Sequence, residues 1–97
     1  MNKEKVIIRR EYDPYMKLWK YLCIFPESYE GNGTYGCVSL WKNEYGQWVH
    51  EPYTSGAVSY FYKCKLIHKN NPEIEEVLKG LKFFYDEEYQ VVEKIMH

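Results

Sequence analysis

The sequence predicts an α+β fold: an antiparallel sheet of about five strands in meander order, with a C-terminal helix or helices packed on one face. Two observations predict it. Short segments of alternating apolar and polar residues, separated by turn-forming residues, occupy the chain up to about residue 68. Apolar residues at helical spacing occur only after residue 71. Because the chain contains no linker, repeat or low-complexity tract, residues 1–97 are expected to form a single domain.

The first strands are predicted by alternation, and their ends by proline and glycine. Asp13-Pro14 is expected to stop the first strand, and Pro26 the second. The stretch over 27–36 holds three glycines and no aliphatic residue, which is typical of a loop. The predicted segments are a strand over 6–12, a strand over 16–25, a loop over 27–36 and a strand over 35–42.

A hairpin is predicted in the middle of the chain. Residues 43–46 suit a four-residue loop in which Gly46 supplies the positive φ. A loop of this length would place Trp41 directly across from Trp48 on the paired strand. After the hairpin, the predicted features are an end at Pro52, a turn over 53–56 and the longest strand candidate over 57–68.

A helix start is predicted at Asn71-Pro72, because asparagine caps helices and proline suits the first helical position. Apolar residues then recur at helical spacing from Ile74 to Leu81. We prefer a break between 80 and 86, where Gly80 weakens the helix. A second helix, capped by residues 86–88, would carry Val91, Val92, Ile95 and Met96. One continuous helix over 72–95 is the alternative.

Alternation also assigns the strand residues to two faces of the sheet. The expected seat of the helix is an aliphatic face formed by Leu18, Leu22, Ile24, Val38 and Leu40. A single helical layer covers only one side of a sheet. The opposite face is therefore expected to expose Trp19, Tyr21, Trp41 and Trp48.

Composition predicts a cytoplasmic protein. No apolar run is long enough to cross a bilayer, and the first residues lack the apolar core of a secretory signal. Three cysteines without paired spacing (Cys23, Cys37 and Cys64) are expected to be free, buried thiols. Abundant Lys, Tyr and Ile with a single alanine match codons rich in A and T, which favours a low-GC bacterium, a phage or a mobile element.

No pattern in the sequence indicates catalysis, a metal or a cofactor, so we expect a non-enzymatic protein. The stretch 31–36 spells G-x-G-x-x-G, but a strand follows it where a nucleotide-binding fold needs a helix. His50, His68, His97 and the cysteines lack the paired spacing of a zinc site. His50 has no nucleophile placed beside it by any motif, so we interpret it as a structural residue.

The aromatic content predicts a binding surface. Aromatic residues make up 19% of the chain, and tryptophan and tyrosine are enriched in protein interfaces. A net charge of −1 disfavours nucleic acid, although an open aromatic sheet face could stack bases or hold a small ligand. The rings could instead pack within the chain or across a homodimer. The predicted partner-binding residues are Trp19, Tyr21, Tyr35, Trp41 and Trp48.

The acidic C-terminal segment is a second predicted contact. Residues 72–97 carry seven Asp or Glu and three Lys, a net charge of −4. The side chains expected to contribute are Glu75, Glu76, Glu87 and Glu88. A solvated helix face is the simpler interpretation of the same residues. Our functional hypothesis is a protein-binding module that acts as a phage or mobile-element inhibitor of a host protein, such as a defence nuclease.

Overall fold

The computed structural model describes residues 3–95. It contains six strands and two helices within this range. The elements in chain order are β1 (Glu4–Asp13), β2 (Leu18–Gly31), β3 (Thr34–Lys42), β4 (Trp48–Ala57), α1 (Val58–Phe61), β5 (Lys65–Leu66), α2 (Glu73–Tyr85) and β6 (Tyr89–Val91).

The sheet is mainly an antiparallel meander with strand order β4-β3-β2-β1-β5. The predicted antiparallel sheet followed by a C-terminal helix is therefore confirmed. One strand departs from the pattern, because β6 pairs in parallel with β1, from Glu4↔Tyr89 to Val6↔Val91. The short strands β5 and β6 share the outer edge of β1, whereas β4 forms the opposite edge.

The β1–β2 turn begins where Asp13-Pro14 predicted. The Asp13 carboxylate accepts hydrogen bonds from the backbone N–H groups of Tyr15 (2.8 Å) and Met16 (3.0 Å). Lys17 has a φ of 56°, which closes the turn in the left-handed region. Strand pairing stops at Asp13 because its side chain binds the next backbone N–H groups, which would otherwise be available to a neighbouring strand.

The prediction that Pro26 ends the second strand is wrong. β2 continues to Gly31 and forms a hairpin with β3, so residues 27–36 are not a simple loop. The strand pairing shifts register between Phe25 and Tyr29, which accommodates a proline that has no N–H to donate. Positive φ values at residues 31–33 make the turn tight.

The predicted register of the β3–β4 hairpin is also wrong. Lys42 pairs with Trp48, and Trp41 pairs with Val49, so the two indoles are not opposite each other. The loop has five residues, 43–47. The side-chain oxygen of Asn43 accepts hydrogen bonds from the backbone N–H groups of Tyr45 and Gln47, which closes a loop of this length. A slip of one residue moves a side chain to the other face, and Trp41 and Trp48 therefore lie on opposite faces.

The chain between Pro52 and His68 differs most from the prediction. β4 runs through Pro52 and the predicted turn over 53–56, with a bulge opposite Cys37–Ser39. The predicted strand over 57–68 is instead the short helix α1, a turn and the two-residue β5. Phe61 is buried over Gly56, where an added Cβ would lie 2.9 Å from its ring. This packing folds the segment back over the sheet.

The main helix begins as predicted but is followed by a strand. The Asn71 side chain accepts a hydrogen bond from the Glu73 N–H (2.8 Å), and Pro72 has helical backbone angles. The helix ends at Tyr85, and the following residue, Asp86, adopts the left-handed conformation, so the predicted break between 80 and 86 is confirmed at the end of that range. The predicted second helix is wrong, because β6 forms there. Met96 and His97 lie outside the described residues.

The sheet has a hydrophobic core on each side. The face under α2, here called the helix face, packs Val6, Ile8, Cys23, Phe25, Val38 and Leu40 against Ile74, Val77 and Leu81. The second face is partly covered by α1 and by residues after β6, and its core comprises Ile7, Leu22, Ile24, Tyr35, Cys37, Phe61 and Cys64. All three cysteines are free and buried, as predicted.

The predicted aliphatic seat for the helix is therefore wrong. Within each strand the alternation is correct, but Tyr21 pairs with Leu40 and Leu22 with Ser39. Tyr21 and Cys23 of β2 therefore lie on the same side of the sheet as Val38 and Leu40 of β3, which is the helix face. Sequence alternation fixes which residues share a face within one strand, whereas the pairing register decides which faces coincide.

Candidate interaction surface at the hairpin end

The five aromatic side chains predicted to contact a partner, four of them predicted to share one exposed face, are dispersed. Trp41 and Tyr35 are buried at the second face, with 7% and 3% of their surfaces exposed. Trp48 is half-buried beside α2, and Tyr21 is half-buried near its start. Only Trp19 among the five is largely exposed, at 60%. The prediction that one open face exposes Trp19, Tyr21, Trp41 and Trp48 is therefore wrong.

The buried cation of Lys20 lies over the Trp41 ring. The Lys20 Nζ lies 4.0 Å from the centre of the indole and is 2.8 Å from an Asp13 carboxylate oxygen and 3.0 Å from a Glu51 oxygen. Burial disfavours the charged lysine, but its hydrogen bonds to Asp13 and Glu51 outweigh this cost and raise its pKa. This cluster explains why Trp41 is buried although no helix covers it. It stabilises the turn end of β2.

Trp48 packs against the helix. A Cβ added to Gly80 would lie 2.9 Å from Trp48 Cδ2, so glycine leaves the space that the indole fills. The Lys42 Nζ lies 5.1 Å from the centre of the indole. The indole is therefore a contact between β4 and α2.

Tyr21 is tied to the first turn of α2. Its hydroxyl donates to Glu73 Oε2 at 2.7 Å, and Arg10 forms an ion pair with Glu73 Oε1. Burial, together with the Glu73 carboxylate, raises the pKa of Tyr21 to about 12. The Tyr21 hydroxyl and Arg10 lower the pKa of Glu73 against the opposing effect of burial. This network fixes the helix start on the sheet.

The acidic residues predicted as a second contact do not form one surface. Glu76 pairs with Lys42 and Lys79, and Glu88 pairs with Lys82 and Lys3. Glu87 lies beside Glu4, whose pKa is raised by burial and by the Glu87 carboxylate. Glu75 is exposed on α2. These charges are spread over α2 and the connection to β6, and two of the four are already in ion pairs.

Exposed aromatic side chains do come together at one end of the sheet. In an antiparallel meander, the β1–β2 and β3–β4 turns lie at the same end. Five large side chains there are exposed by 47–95%. We call this surface the hairpin end, and it comprises Tyr12, Tyr15, Met16, Trp19 and Tyr45.

Side-chain contacts brace the β1–β2 part of the hairpin end. Tyr12 and Trp19 are cross-strand partners whose rings meet edge to face, with centroids 5.2 Å apart. Asp13 is fixed by two backbone donors and by Lys20. These contacts lower the pKa of Asp13, with Lys20 the largest cause. Ring pairs of this kind and a braced turn reduce the ordering cost when a partner binds.

A shallow groove runs from Trp19 toward α2. It is lined by Arg10, Trp19, Lys20, Tyr21, Lys65 and Glu73. The charged groups in it are largely neutralised, because Arg10 pairs with Glu73 and Lys20 with two carboxylates. Lys65 forms no ion pair with any residue between 3 and 95. The groove therefore offers an indole wall with one unneutralised cation at its rim.

The histidine, cysteine and glycine-rich features of the sequence take the following positions in the described part of the chain. No three His, Cys, Asp or Glu side chains between residues 3 and 95 converge to hold a metal ion. His50 packs on Phe84, with ring centroids 3.8 Å apart, and edge-on to Tyr85. The glycine-rich stretch 31–36 forms the β2–β3 hairpin and opens no helix.

No protein-family model, curated protein or solved structure matches the chain. Across residues 3–95, no helix is long and apolar enough to cross a membrane.

Sequence reasoning missed four of the five members of the hairpin end. Tyr12 and Met16 fall within the predicted strands over 6–12 and 16–25, Tyr15 lies between these strands, and Tyr45 lies in the predicted loop over 43–46. None of the four is predicted to contact a partner. A usable signal was present, because large apolar side chains within turns have no neighbouring strand to cover them. Two such turns, one before β2 and one before β4, necessarily share an end of a meander.

Proposed function

We propose that this protein is a non-enzymatic protein-binding module whose contact surface is the hairpin end. The observation that carries the proposal is the exposure of Trp19, an indole that packs against Tyr12 and is 60% exposed, in a strand that follows a turn whose Tyr15 is 95% exposed. Interface hot spots are enriched in tryptophan and tyrosine, and large exposed apolar groups gathered at one place mark interaction sites.

Charge favours a protein over nucleic acid at this surface. A nucleic-acid site needs several cations that are available to phosphates. Near the hairpin end, Lys42 is paired with Glu76, and Lys20 is buried between two carboxylates. Lys17 and Lys65 are the lysines there without an ion pair among residues 3–95. An interface built on rings and a rigid turn tolerates this near-neutral balance.

The amino-acid composition supports a proposal about which protein is the partner. A single alanine and abundant lysine and tyrosine fit a low-GC genome, a phage or a mobile element. We therefore propose a host protein of such a bacterium as the partner and inhibition of that protein as the consequence. A defence nuclease remains the specific case to test first.

The test is partner capture with matched variants. Wild-type protein and Trp19→Ala are each used to recover proteins from a low-GC bacterial lysate, and affinity is then measured with the purified partner. Truncating a hot-spot tryptophan costs about 2 kcal/mol or more, which corresponds to about 30-fold weaker binding. Tyr45→Ala is expected to weaken binding less, because it lies at the far side of the hairpin end.

Phe83→Ala is the matched control. Phe83 is 74% exposed on α2, so its truncation removes a comparable exposed ring away from the hairpin end. Binding should be unchanged in this variant, and circular dichroism should show that all variants fold. Equal affinity for wild type and Trp19→Ala contradicts the proposal. If the wild type has twice the monomer mass in solution and Trp19→Ala has the monomer mass, Trp19 is buried in a homodimer. That result would replace the hypothesis of an external partner.

A further inference from the structure

A cleft opens on the second face of the sheet, away from Trp19. It lies between α1 and the residues that follow β6 and has a volume of about 400 Å³. Its floor is formed by Ile7 and Ile24 from the middle of the sheet, and Phe61 forms one wall. Ligand pockets commonly have volumes of roughly 300–1,000 Å³, so this cleft can hold a small molecule.

The cleft lining is largely apolar and incompletely covered. Ile7, Ile24 and Phe61 are buried, whereas Val58 and Leu66 are only half-buried. The backbone N–H of Val92 donates to the Val6 carbonyl oxygen at 2.9 Å, which holds the far wall against β1. An apolar chain lying in the cleft would remove the remaining apolar surface from water, and burial of each CH₂ group contributes roughly 0.8 kcal/mol.

Arg9 provides an oriented cation in the lining. Its Nη1 donates to the Cys64 carbonyl oxygen at 2.8 Å, and its guanidinium lies 5.1 Å from the centre of the Tyr62 ring. That hydrogen bond uses one of five N–H donors, so others can serve a carboxylate. Fixing the guanidinium before binding reduces the entropy lost when an anion is bound.

The neighbouring charges leave a positive balance in the cleft. Glu93 also lines it, but its carboxylate accepts a hydrogen bond from the Lys69 N–H (2.9 Å) and lies 3.5 Å from His68. Lys94 is exposed at the rim and forms no ion pair with another described residue. The lining therefore holds two cations, Arg9 and Lys94, and one carboxylate, Glu93, which already has partners outside the cleft.

We propose that this cleft binds a small amphipathic anion, with an aliphatic chain on the Ile7–Ile24 floor and a carboxylate at Arg9 and Lys94. The apolar lining selects the chain, and the charge balance selects its negative head group. This site is independent of the hairpin end, and neither proposal requires the other.

The test is an amide NMR titration of the protein with octanoate, octanol and octylammonium, which share a chain and differ in charge. Octanoate is expected to bind saturably and to shift amide signals at the floor, at α1 and at residues 93–95. Octylammonium is expected to bind about tenfold more weakly, because it exchanges a charge-assisted contact for repulsion. Octanol should lie between them.

Two variants assign the head group. Lys94→Gln, at an exposed position, should weaken octanoate binding about threefold and leave octanol binding unchanged. Arg9→Gln should weaken octanoate binding about tenfold, with its fold checked by circular dichroism. Lys17→Gln, which removes a lysine at the hairpin end, is the matched control and should have no effect.

Three results overturn the proposal. The first is an absence of saturable octanoate shifts in the cleft. The second is equal binding of octanoate and octylammonium, which would indicate an apolar crevice without anion selectivity. The third is octanoate affinity that is unchanged in Lys94→Gln and in a folded Arg9→Gln. None of these results bears on partner binding by Trp19, so the two proposals fail separately.

Discussion

Gly80→Ala is expected to destabilise the protein, although the same change stabilises most helices. In an exposed helix interior, replacing glycine by alanine gains about 1 kcal/mol. At Gly80 the new methyl carbon would lie 2.9 Å from Trp48 Cδ2 and 3.1 Å from two further ring atoms. Ordinary carbon contacts lie at roughly 3.5–4.0 Å, so the indole or the helix must move.

The magnitude follows from two opposing terms. Overpacking a filled site costs about 1–3 kcal/mol, which exceeds the helix-propensity gain. We therefore expect Gly80→Ala to lower the free energy of unfolding by about 1 kcal/mol. In a Trp48→Ala background the steric cost disappears, and Gly80→Ala should raise the free energy of unfolding by about 1 kcal/mol. The coupling between Gly80 and Trp48 is then about 2 kcal/mol.

Urea denaturation followed by circular dichroism measures all four members of this cycle. Far-ultraviolet detection is needed, because removing Trp48 changes the fluorescence signal directly. A stabilisation of about 1 kcal/mol by Gly80→Ala in both backgrounds would refute the reasoning. It would mean that α2 does not rest on Trp48, and the helix position derived from that contact would be wrong.

Three further substitutions test the same structure. Asp86→Gly should raise the free energy of unfolding by about 1 kcal/mol in urea denaturation, because Asp86 has a φ of 52° and lies at the negative end of α2; a loss of stability would contradict this. Lys20→Ala should lower the free energy of unfolding by about 2 kcal/mol, since it removes the cation shared by Asp13 and Glu51 and uncovers Trp41, whereas a change below about 0.5 kcal/mol would show the cluster to be dispensable. Glu73 has a pKa below its usual 4.5 in the folded state, so its stabilisation is present above pH 4.5 and is lost as pH falls through the folded value. The stability difference between wild type and Glu73→Gln should therefore shrink below pH 4.5, and a difference that is constant with pH would contradict the assigned network.

The local features of the fold could be predicted from the sequence because local chemistry determines them. Asp13 stops β1 through its own side chain, and Asn71 caps α2 two residues ahead of Glu73. The alternation in β2 correctly separates Leu22 from Tyr21, because side chains alternate along any strand. These interactions span only a few residues, so the sequence carries them directly.

Pairing between distant segments could not be predicted in the same way. The segment after Ala57 alternates like a strand but folds back because Phe61 packs over Gly56. The segment after Asp86 carries apolar residues at helical spacing (Val91, Val92, Ile95 and Met96), yet the backbone of Tyr89–Val91 pairs with the edge of β1 that β5 leaves open. In both cases a tertiary contact outweighs a weak local preference.

The candidate binding surface shows the same division. The sequence by itself determined that this small chain carries more aromatic rings than one core needs, and it predicted Trp19 among the contact residues that we propose. Only the tertiary structure decided that Trp41 is buried with Lys20, that Trp48 packs under Gly80, and that the exposed rings collect at the turns. The physical reason is register: a shift of one residue in the β3–β4 pairing places Trp48 on the face opposite to Trp41, where the predicted register would place both on one face. That register depends on a five-residue loop closed by the side chain of Asn43.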